Sequence, residues 1–224
     1  MKSYLKYIKE NNTTDTIIDI IKRDCQPFLE QFNNVLFRSV NEKYDFELVE
    51  RRKDREPRTT DPSTHECLDN LFAEMYGWNA RSDGVFVDGN KNNEYGEYLY
   101  MFFPKGNFRY LYNEEIPDLL VATDRSTFGY GYESYVEDSN HYKVNTDFMT
   151  ILSEEEYNKK REEEFRKLIT GYKTTGAPSF NRCELMFDVN YYYMLYCGTT
   201  VYHDDRKNIN INYDLVEKLG LKVL

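Results

Sequence analysis

Nowhere in its 224 residues does the chain contain a run of eighteen apolar residues, so the sequence offers no membrane span. Met1-Lys2-Ser3-Tyr4 does not open a signal peptide, and a cytoplasmic protein is expected. Cysteine is scarce. Cys25, Cys67, Cys183 and Cys197 are scattered without paired spacing, which predicts free thiols in a reducing compartment and no zinc framework or other metal site. Positive charge is outweighed, with 29 Lys and Arg against 39 Asp and Glu. The resulting net charge of −10 and pI near 4.9 argue against a general nucleic-acid binder or a membrane-surface protein. Internal repeats and low-complexity tracts are missing. So are a P-loop, a GxGxxG turn, an HExxH helix, a nucleophile elbow and a paired-carboxylate motif, which removes the best-marked enzyme classes.

What is present describes a folded protein. Hydrophobic residues make up 40% and aromatics 16%, enough for one domain with a real core and room for a small helical lobe. The mean hydropathy of −0.77 reflects a charged, tyrosine-rich surface. Abundant Asn, Lys, Tyr and Ile hint at an AT-rich coding genome.

Two helices are expected first, over Lys2 to Asn11 and Thr14 to Phe32. In the second, Ile17, Ile18, Ile21 and Phe28 recur near helical spacing behind a cap at Thr13, Thr14 or Asp15. A strand over Asn34 to Val40 follows, interrupted by Arg38, an arginine that is costly in a buried strand unless an anion pairs with it. Phe46 to Val49 predicts another strand, leading into the charge run Glu50 to Arg58. That run is either a solvated loop or, as the only locally basic segment, a phosphate contact. Ser63 and Glu66 suggest a capping box for a helix to Tyr76, stopped by Gly77. His65 lies in its first turn without a partner at ligand spacing, which favours a structural role. Val85 to Val87 is a short strand. Tyr98 to Phe103 and Asn107 to Tyr112 are expected as a hairpin around Pro104-Lys105-Gly106. Asn113 is expected to cap a short helix, and Asp124 to Thr146 to form a long irregular excursion. Ser153 to Ile169 and Tyr213 to Leu219 complete the helices.

The most strand-like stretch is Phe180 to Val189, followed at once by Asn190-Tyr191-Tyr192-Tyr193-Met194-Leu195-Tyr196. Leu185, Phe187 and Val189 share one face at period two. Glu184 stands at the strand's mouth, after a loop of turn residues from Gly171 to Ser179. A carboxylate there is either an edge residue facing water or a catalytic or ligand-binding group.

The order of these pieces resembles the mono-ADP-ribosyltransferase family, in the class marked by Arg, then Ser-Thr-Ser, then Glu. Leu36-Phe37-Arg38-Ser39 resembles its first strand, aromatic-Arg-Gly. Val85-Phe86-Val87-Asp88-Gly89 stands where the Ser-Thr-Ser strand ends. Tyr95-Gly96 with Leu99-Tyr100-Met101-Phe102-Phe103-Pro104-Lys105-Gly106 resembles the family's helix-glycine and following strand. Arg182-Cys183-Glu184-Leu185-Met186-Phe187 with Tyr191-Tyr192-Tyr193 resembles the Glu-x-Glu strand and its partner. The likeness spans about residues 34 to 198. It implies an α+β fold with a split β-sheet core (residues 34–224), preceded by an N-terminal helical region (residues 1–33), the whole forming one globular unit.

The resemblance also implies NAD as the bound dinucleotide, with Glu184 and Arg38 catalytic. Arg38, Ser39, Val87, Asp88 and Phe180 would contact NAD, and Tyr172, Phe180 and Arg182 would recognise the acceptor. Three departures stand out. Ser39 replaces a glycine, Asp88 stands where a hydroxyl is expected (Ser82 supplies one in another register), and Arg182 replaces the first Glu or Gln of Glu-x-Glu, which speaks against arginine acceptors. The implied activity is transfer to a host protein or, less in keeping with the charge, a nucleic acid, or simple NAD hydrolysis, by a phage or toxin-like protein in the host cytoplasm. The alternative is a catalytically silent protein of the same fold that binds a protein partner through its acidic, tyrosine-rich face. A third reading is nucleic-acid contact through Arg51 to Arg58.

Overall fold

The computed structural model describes residues 13–53, 60–90, 96–116, 118–126, 128–143, 151–176, 184–203 and 206–223, with backbone alone at 139–143, 201–203 and 206–208. The expected helix over Lys2 to Asn11 lies outside the described residues. The fold is mixed, helices with an antiparallel sheet, as the α+β expectation had it. The chain forms two compact units. The first comprises Met1–Arg51, Gly84–Glu114 and Lys173–Leu224, and the second Arg52–Asp83 and Glu115–Tyr172.

The first unit holds the sheet: β1 (Leu36–Val40), β2 (Phe46–Glu50), β3 (Val85–Asp88), β4 (Tyr98–Pro104), β5 (Arg109–Tyr112), β6 (Glu184–Asp188), β7 (Tyr191–His203) and β8 (Arg206–Ile209). Their order is β2-β7-β4-β1-β3-β6-β5, with β8 on β7. Three helices belong to the same unit: α1 (Thr14–Asp24), α2 (Gln26–Gln31) and, near the C-terminus, α8 (Tyr213–Lys218). The N-terminal helices are therefore part of the sheet's core, not a region of their own. Ile17, Ile18, Ile21, Phe28 and Phe32 are buried with Phe37, Met101, Phe103, Phe187 and Tyr193. Burying each such side chain stabilises by about 1.5–3 kcal/mol before entropy is counted.

Local chemistry explains most boundaries. Thr13 Oγ1 accepts from Thr16 N and caps α1. The helix expected to run to Phe32 breaks at Cys25, because Pro27 in the first turn of α2 has no N–H to continue the ladder. The expected hairpin is corrected: β4 lies between β1 and β7, whereas β5 pairs only with β6 at the sheet's edge. The turn's donors go elsewhere, Lys105 N to Tyr191 O and Gly106 N to Asp24 O, so the chain leaves β4 for the far edge.

The second unit is helical: α3 (Pro62–Tyr76), α4 (Ala80–Asp83), α5 (Leu119–Asp124), α6 (Tyr132–Lys143) and α7 (Glu154–Thr170). Asp61, not Ser63, caps α3, accepting from Ser63 N and Thr64 N at 3.0 and 3.2 Å ahead of Pro62. Gly77 ends it at φ +77. The capping box belongs to α7, where Ser153 and Glu156 satisfy each other's backbone. Asp118, not Asn113, caps the short helix α5, and the excursion expected as irregular contains α6.

Candidate functional site

β1, β3 and β6 are consecutive in the sheet, and they carry Arg38, Asp88 and Glu184. One cross-strand row links them: Phe37 is in register with Asp88, and Asp88 with Glu184. Directly opposed residues share a face, with Cβ atoms ~4.5–5.5 Å apart, so Asp88 and Glu184 are neighbouring carboxylates. β1 and β3 meet at this single register pair, whereas β1 and β4 are paired along all five residues of β1. Beyond Phe37 and Asp88 the two strands diverge. Arg38 enters the gap, and its Nη1 donates to the Phe86 carbonyl at 2.7 Å. Its guanidinium carbon stands 5.8 Å from the Tyr192 ring centre, and its Nε is buried without a hydrogen-bond partner among the described residues.

Period-two alternation has a consequence for this pair. Ser39 is on the face of Phe37, Asp88 and Glu184, while the Cβ of Arg38 leaves on the opposite face, with Leu36, Val40 and their cross-strand partners Phe102 and Tyr98. The row holds Phe37, Asp88 and Glu184, with Ser39 two residues along β1 on the same face. Arg38 donates instead to Phe86 O, in the seam where β1 and β3 part.

The remaining expected site residues behave differently. Val87 is 1% exposed and paired with Leu185, its side chain in the core. Tyr172 belongs to the helical unit, is 7% exposed, and sets its ring edge-on against Phe72 at 5.2 Å. Phe180 and Arg182 lie outside the described residues. Asp88 is partly committed, its Oδ1 accepting from Asn90 N at 2.7 Å. Glu184 is half-buried with Oε1 enclosed. The loop before it is gripped on its near side by Tyr110, whose hydroxyl donates to Gly176 O at 2.6 Å, and by Tyr112, bonded to Thr175 O at 3.0 Å.

In the basic segment, Arg51 is committed to a carboxylate. Arg51 pairs with Asp188, which Arg109 meets from the other side with Nε at 2.9 Å. Residues 54–59 lie outside the described residues. Ser82, the alternative hydroxyl, sits on α4 and not on β3. It donates to Asp69 and lies 3.0 Å from His65 Nε2, which is 3.5 Å from Asp69. This Asp–His–Ser cluster was hidden because only the i,i+4 spacing of His65 and Asp69 is local. Both partners meet the same imidazole nitrogen, and Asp69 also accepts Arg81 N and Ser82 N. It is a clamp between α3 and α4 rather than a nucleophile relay, which needs the nucleophile hydroxyl and the orienting carboxylate on opposite nitrogens of the imidazole base.

Among the described residues no group of three or more His, Cys, Asp or Glu is placed to hold a metal, and no helix is long and apolar enough to cross a membrane. No protein-family model, curated protein or solved structure matches the chain, so the functional reading rests on its own residues.

Proposed function

We propose that this chain is a mono-ADP-ribosyltransferase or NAD glycohydrolase acting on a host macromolecule, with a split-sheet core of that family's kind and Glu184 as its catalytic carboxylate. The observation that carries the reading is the adjacency of β1, β3 and β6. These strands are remote in sequence, yet they are neighbours in the sheet, and that juxtaposition of the Arg38, Asp88 and Glu184 strands supports the reading.

The residues present fit NAD in part. Of five guanidinium donors, Arg38 commits one to Phe86 O, which leaves others for a pyrophosphate or ribose oxygen. Ser39 and Asp88 border the same seam. Breaking the bond between nicotinamide and ribose moves its electron pair to nicotinamide and builds positive charge on the ribose. Glu184 accepts a hydrogen bond from a ribose hydroxyl and stabilises that charge. The vacated carbon then takes an acceptor nucleophile, or water in the glycohydrolase case, and the nucleophile's proton passes to solvent.

A specific observation favours the second reading, a silent protein of the same fold that binds a partner: the side chains of Arg38 and Glu184 leave β1 and β6 on opposite faces. The two readings part in one assay. Purified protein is incubated with NAD and host lysate, following free nicotinamide and label from the adenylate half. The enzyme reading expects turnover that Glu184→Gln lowers by about 10²–10³. Equal rates in wild type and Glu184→Gln, or no turnover and no NAD-dependent thermal shift, leave the binding reading standing.

A further inference from the structure

The turn from β1 to β2, the start of β4 and the middle of β7 gather four tyrosines in the sheet unit. Tyr98 and Tyr196 meet at 6.4 Å with their rings inclined by 56°, and Tyr196 lies 5.8 Å from Tyr100. Tyr100 is buried and pins the turn. Its hydroxyl donates to Glu42 O and accepts from Tyr44 N, both at 2.8 Å. Tyr44, Tyr98 and Tyr196 are only half-buried, so part of the cluster faces solvent. Into the open angle between Tyr98 and Tyr196 the exposed Lys43 places its ammonium, 5.9 and 5.1 Å from the two ring centres.

The polar surroundings are acidic. Tyr44 donates to the Glu42 carboxylate, Glu47 is in register with Met194, two residues from Tyr196 on β7, Tyr196 N donates to Asp45 O, and Glu97 directly precedes Tyr98. Two inclined π faces with four carboxylates around them attract a cation and repel a phosphate or a nucleotide. An ammonium occupies the angle already, supplied by this chain itself. A net charge of −10 draws basic partners to the molecule as a whole.

We propose that Tyr98 and Tyr196, with Glu42, Glu47 and Glu97, form a receptor for the ammonium of a lysine side chain on a basic protein segment, and that Lys43 is its internal competitor. The partner's lysine replaces Lys43 between the rings, and the carboxylates hold neighbouring positive charge. This surface is separate from the Glu184 row and does not depend on NAD turnover.

The test titrates a lysine-rich peptide and tetramethylammonium chloride into the full chain, with sodium chloride at equal ionic strength as reference, reading tyrosine ring resonances. In Lys43→Ala both probes shift the Tyr98 and Tyr196 signals saturably, and the peptide binds about two- to five-fold tighter than to wild type, the worth of one exposed cation–π contact. Tyr98→Leu with Tyr196→Leu loses the shifts of both probes and the peptide's binding while keeping circular dichroism and Tm. Should that pair fail to fold, Glu42→Gln with Glu47→Gln and Glu97→Gln keeps the rings and weakens the peptide at least several-fold. Glu184→Gln binds as wild type does, whatever its NAD activity. No saturable shift in Lys43→Ala, undiminished peptide binding after the charge or ring substitutions, or equal binding of an aspartate-rich peptide overturns the proposal.

Discussion

Asp24 closes α1 against the sheet through three donors: Arg23 Nε at 2.6 Å, Tyr193 Oη at 2.6 Å and Lys105 Nζ at 3.1 Å. Burial pushes its pKa up, but hydrogen bonds from Arg23, Tyr193 and Lys105 outweigh that and hold it at about 2 instead of 3.8. A carboxyl depressed on folding contributes stability that is complete above its unfolded value and is lost as pH falls through the folded one. Between pH 4 and pH 2 the chain is therefore expected to lose stability that Asp24→Asn does not lose. At pH 7 the same substitution is expected to cost about 1–2 kcal/mol in chemical denaturation. Gly96 is a second such residue. A Cβ there would stand 2.5 Å from Val40 N, so Gly96→Ala must displace the end of β1, with an expected cost of about 1–3 kcal/mol. Gly77 as a helix stop could be read from sequence, since it needs only its own chemistry. Arg51 with Asp188 could not, because 137 residues separate the partners.

Strands and helices were legible where their signal was local. The apolar runs of β1 and β4 and the acidic first turn of α7 each mark an element within a residue or two of where it stands. The periodicity of α1 marks its start but not its break at Cys25, and β6 begins at Glu184 within a longer expected run whose first residues lie outside the described ones. Pairing was not legible. Gly106 at φ +70 looks like a hairpin turn, yet β4 and β5 have three strands between them, because Tyr191 O and Asp24 O capture the turn's donors. Likewise, Arg38 and Glu184 are easily chosen from the sequence, but their faces depend on the row through Phe37 and Asp88, which no single strand records. The cap of α3 is the sharpest test at this scale. Asp61→Ala removes the acceptor of two backbone donors and is expected to cost about 1 kcal/mol, whereas Glu66→Ala leaves Tm nearly unchanged. The opposite ranking would restore the capping box expected from Ser63 and Glu66.

At the level of the whole molecule, chain order conceals the division into units. The sheet unit is assembled from three segments and the helical unit from two. Residues 34–224 were expected to stand as a domain, but Ile17, Ile21, Phe28 and Phe32 in α1 and α2 are at most 7% exposed within the sheet's core. A chain beginning at residue 34 is accordingly expected to lose cooperative unfolding, and a sharp native-like transition in that fragment would show the helices to be dispensable. We propose that β1, β3 and β6 assemble an NAD-cleaving site around Glu184. Release of nicotinamide from NAD by wild type and Glu184→Gln, measured side by side with host lysate, tests it most directly. We expect turnover in the wild type that drops about 10²–10³-fold in Glu184→Gln; turnover indifferent to Glu184, or none at all, would leave this carboxylate without a catalytic role.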